Sequence, residues 1–319
     1  MSHIFSRASQ SIPDGESPYG YTPAEWIGVV FVVLYSITTL IHLGQVLYFR
    51  TWFLIPTAIF AGILEIIGWA GRLWSSQNVL LNTPFLIQIV CLIIAPTPLV
   101  ASNFIILGRI IRRLGSRYSR LSARWYTIVF LSCDIISLVV QAIGGAMASE
   151  STTNAGAANG GHVMLGGIVF QLTAIILYVA LASEFLFRYI KDRPFRIYEG
   201  ARGKTDQRMK LLLFGMSLET VFIFTRSVYR TIELADGFNG KIYTTQSLFT
   251  VLDGLMITFA MFTLNVFHPG LLLREPYVPG RTQNLPVDSA ERMPVESFRL
   301  NLLSFKNGAE TKIAVSNGN

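Results

Sequence analysis

The sequence predicts an all-α, polytopic membrane protein: a seven-transmembrane-helix bundle with its N-terminus outside and its C-terminus cytosolic. Three observations carry this expectation. Apolar residues make up 51% of the 319 and charged residues only 14%, against roughly 25% charged in soluble domains. The apolar residues come in seven blocks, at about 26–48, 52–74, 84–107, 125–148, 163–187, 210–232 and 247–267, each near the roughly 20 residues that cross a bilayer as a helix. Lys and Arg between the blocks collect on one face: Arg50, six Arg from Arg109 to Arg124, eight basic residues from Arg188 to Lys210 and six after Phe267. The other face has only Arg7, Arg72, Arg230 and Lys241, and cytoplasmic loops are the ones that carry the excess.

The chain divides into a polar extracellular N-terminus (1–24), a transmembrane domain (25–270) and a Pro-containing polar tail (271–319) expected to be disordered in the cytosol. The first twenty residues lack the apolar core of a signal peptide, so the first helix itself directs insertion. The net charge of +7 follows from the inner loops, which attract anionic lipid head groups, and gives no argument for nucleic acid. Cys91 and Cys133 fall inside helices, where they read as packing residues rather than a disulfide or a metal site. Trp26, Trp52, Trp74 and Trp125 fall at helix ends, the depth that amphipathic rings prefer.

Taken in order, the first helix is apolar except for His42 near its cytosolic end. In the second, Ala58, Ala61, Gly62, Glu65, Gly68 and Arg72 recur at helical spacing, so the small-residue face that permits close packing also carries the charges. The third is interrupted by Pro96 and Pro98, which remove backbone donors and predict a kink. The fourth aligns Asp134, Ser137 or Leu138, Gln141 and Gly145 as a polar stripe. Residues 149–161, rich in Ser, Thr, Asn, Ala and Gly, read as a flexible outer loop. The fifth helix carries Gln171, with Glu184 at its inner end. Gly203, Lys204 and Thr205 in the next loop lack the first Gly and the strand of a phosphate-binding loop, so no nucleotide site is expected.

The sixth helix holds Glu219, Arg226 and Arg230 on one face, at spacings that turn all three into the bundle. Each mid-bilayer charge costs roughly 2.5–3.5 kcal/mol on insertion, so they need partners, water or an off-centre depth. Asp253 in the seventh helix lies about 9 Å below the outer end and Arg226 about 7 Å below it, which predicts a pair. Glu65, Asp134 and Glu219 sit nearer mid-membrane. Glu65 and Asp134 are candidates to line a polar pathway and to exchange a proton or a cationic head group; the competing reading pairs Glu65 with Arg72. Intramembrane ionisable residues are functional candidates, with interhelical pinning as the alternative.

These residues resemble the fungal resistance-to-aminocholesterol family, the lipid-translocating exporters, which includes sphingoid long-chain-base resistance proteins. The resemblance spans Tyr21 to Gly270. It rests on His42; Glu65, Gly68 and Arg72; Ala95, Pro96, Gly108 and Arg109; Asp134, Ser137, Gln141, Gly144 and Gly145; and Gln171. Arg226, Ser227, Tyr229, Arg230, Glu233 and Gly237 form its most specific run, followed by Asp253, His268 and Pro269. Trp69 and Phe104 stand where the family has Tyr, and Gln246 where it has Glu.

The resemblance implies a non-enzymatic translocator of amphipathic lipids or lipid-like toxic compounds, conferring resistance, with sphingoid long-chain bases as the leading substrate class. It implies a plasma or endosomal membrane, membrane lipids and the amphiphile as partners, and no cofactor. The candidate substrate or coupling residues are Glu65, Arg72, Asp134, Gln141, Gln171, Arg226, Arg230, Glu233 and Asp253. The alternatives are a seven-helix sensor of lipid or membrane stress and an exporter of a fungal secondary metabolite. The lack of a Lys in the seventh helix for a Schiff base argues against a retinal protein. An intramembrane zinc hydrolase needs three ligands, and only His42 and His268 of the four histidines share a membrane face.

Overall fold

Each apolar block forms a helix in the computed structural model, which describes Tyr19 and residues 21–150, 154–196, 203–237 and 240–273. In chain order these are α1 (Glu25–Phe49), α2 (Trp52–Gln77), α3 (Asn82–Leu114), α4 (Ala123–Glu150), α5 (Asn154–Ile190), α6 (Gln207–Asp236) and α7 (Gln246–Leu272). All seven are long and apolar enough to cross a membrane, and the chain is an integral, multi-pass membrane protein. The tail expected to be disordered, from residue 274 on, lies outside the described residues, as do residues 1–18. An odd number of spans puts the start of α1 and the end of α7 at opposite ends of the bundle, here called the N-terminal end and the basic end.

Consecutive helices pack side by side, and α1 also packs on α7, which closes a ring. The second half of α3 runs inside it, touching α2, α4 and α6. Accordingly 67% of the apolar window of α3 is buried, against 28–50% in the other helices. The outward faces are apolar: Val33 and Leu40 on α1 and Ile136 and Val139 on α4 are exposed, while Glu65, Asp134, Glu219 and Asp253 are at most 3% exposed. That reverses a soluble protein and is what a hydrocarbon solvent demands. Trp26, Trp52, Trp74 and Trp125 are exposed at helix ends.

The expected loop at 149–161 is instead mostly helix. α4 continues to Glu150 and α5 starts at Asn154, leaving only 151–153 between them, outside the described residues. Small residues that read as a loop serve a close helix contact: a Cβ on Gly160 would lie 2.7 Å from both Ala148 Cα and Gly144 O. The same contact corrects the polar stripe of α4. Gly144 faces α5, whereas a Cβ on Gly145 would meet nothing within 4 Å, so the stripe runs Asp134, Ser137, Gln141, Gly144.

The kink in α3 falls at Ala95, between Asn82–Ile94 and Pro96–Leu114. Two wider turns were not visible in the sequence: α2 opens with a π-helical turn at Ile55–Ile59, and α7 contains another at Thr250–Leu255. At the basic end the connections are laced by ion pairs. Arg113 meets Asp206 at 3.2 Å, Arg117 meets Asp192 at 3.4 Å, and Glu184 takes both Arg120 and Arg188 at 2.7 Å. These pairs are partly exposed, and each contributes at most about 1 kcal/mol.

Candidate functional site

The π-helical turn of α7 carries Asp253, and Arg226 of α6 pairs with it through Nε. The second contact of Arg226 follows from the kink in α3. Leu92 O would accept the N–H of residue 96 in an unbroken helix, but Pro96 has none. Arg226 Nη2 takes that place and donates to Leu92 O at 2.8 Å. One guanidinium therefore ties α6 to α7 by charge and to α3 by a backbone carbonyl that proline left open. Tyr35 of α1 adds the fourth helix, donating to Gly254 O at 2.8 Å.

Glu65 of α2 completes this cluster. It lies among Tyr35, Trp69, Asp253 and Arg226. Trp69 stacks on Phe31 with ring centroids 4.0 Å apart. With Arg226 matched by Asp253, Glu65 is a surplus carboxyl group. A bare charge there would be too costly, so it must hold a proton or face a cation. The reading that paired Glu65 with Arg72 is not what the structure contains.

Arg72 instead sits near the N-terminal end in an aromatic box, its guanidinium 4.7 Å from the Phe249 ring centre, 5.4 Å from Tyr19, 5.6 Å from Tyr21 and 5.8 Å from Trp69. It donates to Tyr21 Oη at 2.6 Å and weakly to Gln88 Oε1 at 3.5 Å. Arg230 and Glu233 pair at 2.6 Å, and Tyr229 Oη donates to the other oxygen of Glu233 at 3.1 Å. Both groups line a small cavity of about 30 Å³ with Tyr243. Burial pushes the Tyr243 and Tyr19 phenols above their ordinary range, so both remain neutral hydrogen-bonding walls.

The polar stripe of α4 forms a third group. Ser137 donates to Gly167 O at 2.7 Å, and Gln141 Nε2 reaches Ser137 Oγ at 2.8 Å and Gln171 Oε1 at 3.1 Å. Gln171 lies 3.5 Å from Thr97, between the two prolines of α3. Asp134 is buried one turn away, and neither carboxyl oxygen has a hydrogen-bond partner among the described residues. Glu65 and Asp134 therefore lie in different groups rather than in one. Glu219 joins none of them, although it shares a helix face with Arg226; it is within electrostatic reach of Tyr178. Tyr35 and Tyr21 carried no signal in the sequence beyond being Tyr in or beside α1.

His42 is fully buried next to His268, and Nδ1 of His268 accepts the Gly270 N–H at 3.2 Å. No group of three or more His, Cys, Asp or Glu among the described residues is placed to hold a metal ion.

Residues 58–276 match the family model described as RTA1 like protein. The chain is 31% identical over 296 residues to the Saccharomyces cerevisiae protein named sphingoid long-chain base transporter RSB1, covering 84% of this chain and 76% of that one. It is 29% identical over 268 residues to Protein RTA1 of Saccharomyces cerevisiae, covering 76% and 81%. It is 28% identical over 283 residues to protoporphyrin uptake protein 1 of the same organism, covering 78% and 90%. No solved structure matches it.

Proposed function

The chain belongs to the RTA1-like family, and on that premise we propose that it is a transporter of amphipathic lipids, with sphingoid long-chain bases as the leading substrate and resistance to such compounds as the outcome. Family membership supports the transporter reading, through the relative named for that substrate. The single structural observation that supports the substrate class is the surplus carboxyl of Glu65 beside the Arg226–Asp253 pair. A sphingoid base is an apolar chain with an ammonium head, and an uncompensated carboxylate in a low-dielectric interior favours such a cation over any neutral lipid. With no nucleotide motif in the sequence, movement is downhill or coupled to an ion. We place the protein in the plasma membrane, with Asp134 as a second carboxyl on the path.

A vesicle flux assay with purified protein and a fluorescent long-chain base tests this. Glu65→Gln and Asp134→Asn keep shape and hydrogen bonding while removing the charge, and each is expected to slow flux about tenfold or more. Wild-type rates in both, with normal membrane insertion, would sink the carboxylate role.

A second reading takes an acidic amphiphile as substrate. It rests on Arg72, a buried guanidinium in an aromatic box that forms no ion pair among the described residues.

The orientation proposed from the Lys and Arg asymmetry has its own check. Epitope tags at the N-terminus and beside Lys241 are expected to be reached by antibody on intact cells. Tags beside Arg117 and at the C-terminus are expected to need permeabilisation. Surface labelling of the Arg117 tag would reverse the assignment.

A further inference from the structure

An open-sided crevice of about 450 Å³ runs between α5 and α6 on the outer, lipid-facing side of the bundle. That volume lies within the roughly 300–1,000 Å³ typical of small-molecule sites. Its walls are Ile176, Val179, Leu186, Leu213, Val221 and Phe224, with Leu107 of α3 at its back. From Leu213 to Phe224 it extends about 16 Å along α6, from the basic end toward mid-membrane. The hydroxyls of Ser183, Ser217 and Thr220 interrupt the apolar wall. Those of Ser217 and Thr220 donate to their own helix, at 2.9 and 2.7 Å, so their lone pairs remain to accept.

Behind the deep end lies Glu219. It is 1% exposed, and among the described residues Oε1 has no hydrogen-bond partner and no cation forms an ion pair with it. Arg226 is about 10 Å further along α6 and engaged with Asp253. Met216, one turn before Glu219, and Thr220, the residue after it, both line the crevice. Tyr178 belongs to both places: it lines the crevice, and its hydroxyl is within electrostatic reach of Glu219. Among the described residues that hydroxyl makes one hydrogen bond, at 3.4 Å to Asn103 O, and Asn103 Oδ1 is a buried acceptor with no partner. The Tyr178 ring is packed against Phe104 and Phe130, at 4.8 and 5.5 Å between centroids, so it borders the apolar slot as a fixed wall while its hydroxyl is weakly held.

We infer that this crevice is an entry site for a single-chain amphiphilic amine, whose hydrocarbon chain lies between α5 and α6 while its ammonium head passes Tyr178 to reach Glu219 and Asn103. The chain need never leave an apolar environment, because the slot opens sideways to the hydrocarbon of the bilayer. The head exchanges water for one carboxylate and one amide oxygen, two acceptors without a hydrogen-bond partner among the described residues. Two carboxylates, Glu219 and then Glu65, would receive the cation at different places in the bundle. The inference rests on the transporter reading for its substrate class, but its site is separate from the Arg226–Asp253 cluster.

The test uses the full-length protein in lipid vesicles and a photoreactive octadecylamine, with the matching photoreactive octadecanol as uncharged comparison. The amine is expected to label peptides from α5 and α6, with Glu219→Gln weakening it about tenfold or more and leaving the alcohol unchanged. Ser217→Phe, at an exposed position on the crevice wall, is expected to reduce labelling by both probes. Labelling on other helices, or a Glu219→Gln variant that binds both probes as wild type does or loses both equally, would overturn the site. Flux of octadecylamine is measured in the same vesicles. If it matches protein-free vesicles while Glu219-dependent labelling persists, the transport reading fails and the binding site stands. If flux is fast and labelling ignores Glu219, the site fails and the transport reading stands.

Discussion

Arg226→Ala is expected to lose about 3–5 kcal/mol of stability, because it strands Asp253 as an uncompensated charge inside the bundle. It also orphans Leu92 O, which the side chain now satisfies at 2.8 Å. Asp253→Ala strands the guanidinium instead but leaves its bond to Leu92. The double variant removes both charges at once, so its loss should fall well short of the sum. Thermal unfolding of the purified protein in detergent, run as a full cycle, measures the coupling, and strictly additive losses would mean that the pair contributes nothing. Pro96→Ala adds a second axis. It restores the amide that Leu92 lacks, so Arg226→Ala should be less damaging in that background.

A second large effect is expected from a single methyl group. A Cβ on Gly144 would sit 2.7 Å from Gly160 O and 2.9 Å from Met164 Cα, both backbone atoms of α5 that cannot rotate away. Gly144→Ala therefore forces α4 and α5 apart, at about 1–3 kcal/mol. The same substitution at Gly145 enters open space and replaces a poor helix former, so Gly145→Ala should be neutral or stabilising by up to about 1 kcal/mol. Opposite signs at adjacent positions are the readout, by melting temperature. Equal effects would contradict the interface.

That contrast shows where reading the sequence works and where it stops. Hydropathy finds all seven helices because lipid imposes a length and an apolar surface on each. Depth is legible too, since residues rise a fixed distance along a helix, and so Arg226 and Asp253 could be matched from their positions in the sequence, as the structure pairs them. Rotation about the helix axis is less legible. Gly144 and Gly145 are both small, and only the packed neighbour tells which one touches it. The run at 155–161 looks like a loop because Gly and Ala serve loops and tight helix contacts alike. Glu65 and Arg72 are two turns apart and could have paired; aromatic rings from α7 and from the segment before α1 claimed Arg72 instead. The isolation of Glu219 depends on what three other helices do not present to it, and no local pattern encodes an absence. Leu92 is the instructive case: Pro96 announced a missing donor, but not which distant side chain would supply one.

The π-helical turn at Thr250–Leu255 has a consequence for how the gene tolerates change. Such a turn is an α-helix with one residue too many. Loss of a single codon anywhere in that stretch would let α7 relax into a regular helix with better backbone geometry. It would also rotate everything on one side of the deletion by about 100° relative to the other. Asp253 and Tyr35's acceptor Gly254 would then no longer be presented on the same side as the His268 end of the helix. A deletion that improves the local helix would thus break the bundle's central ion pair, whereas most substitutions in the same stretch would leave the count intact. Length, rather than the identity of most side chains, is the inherited instruction in that segment.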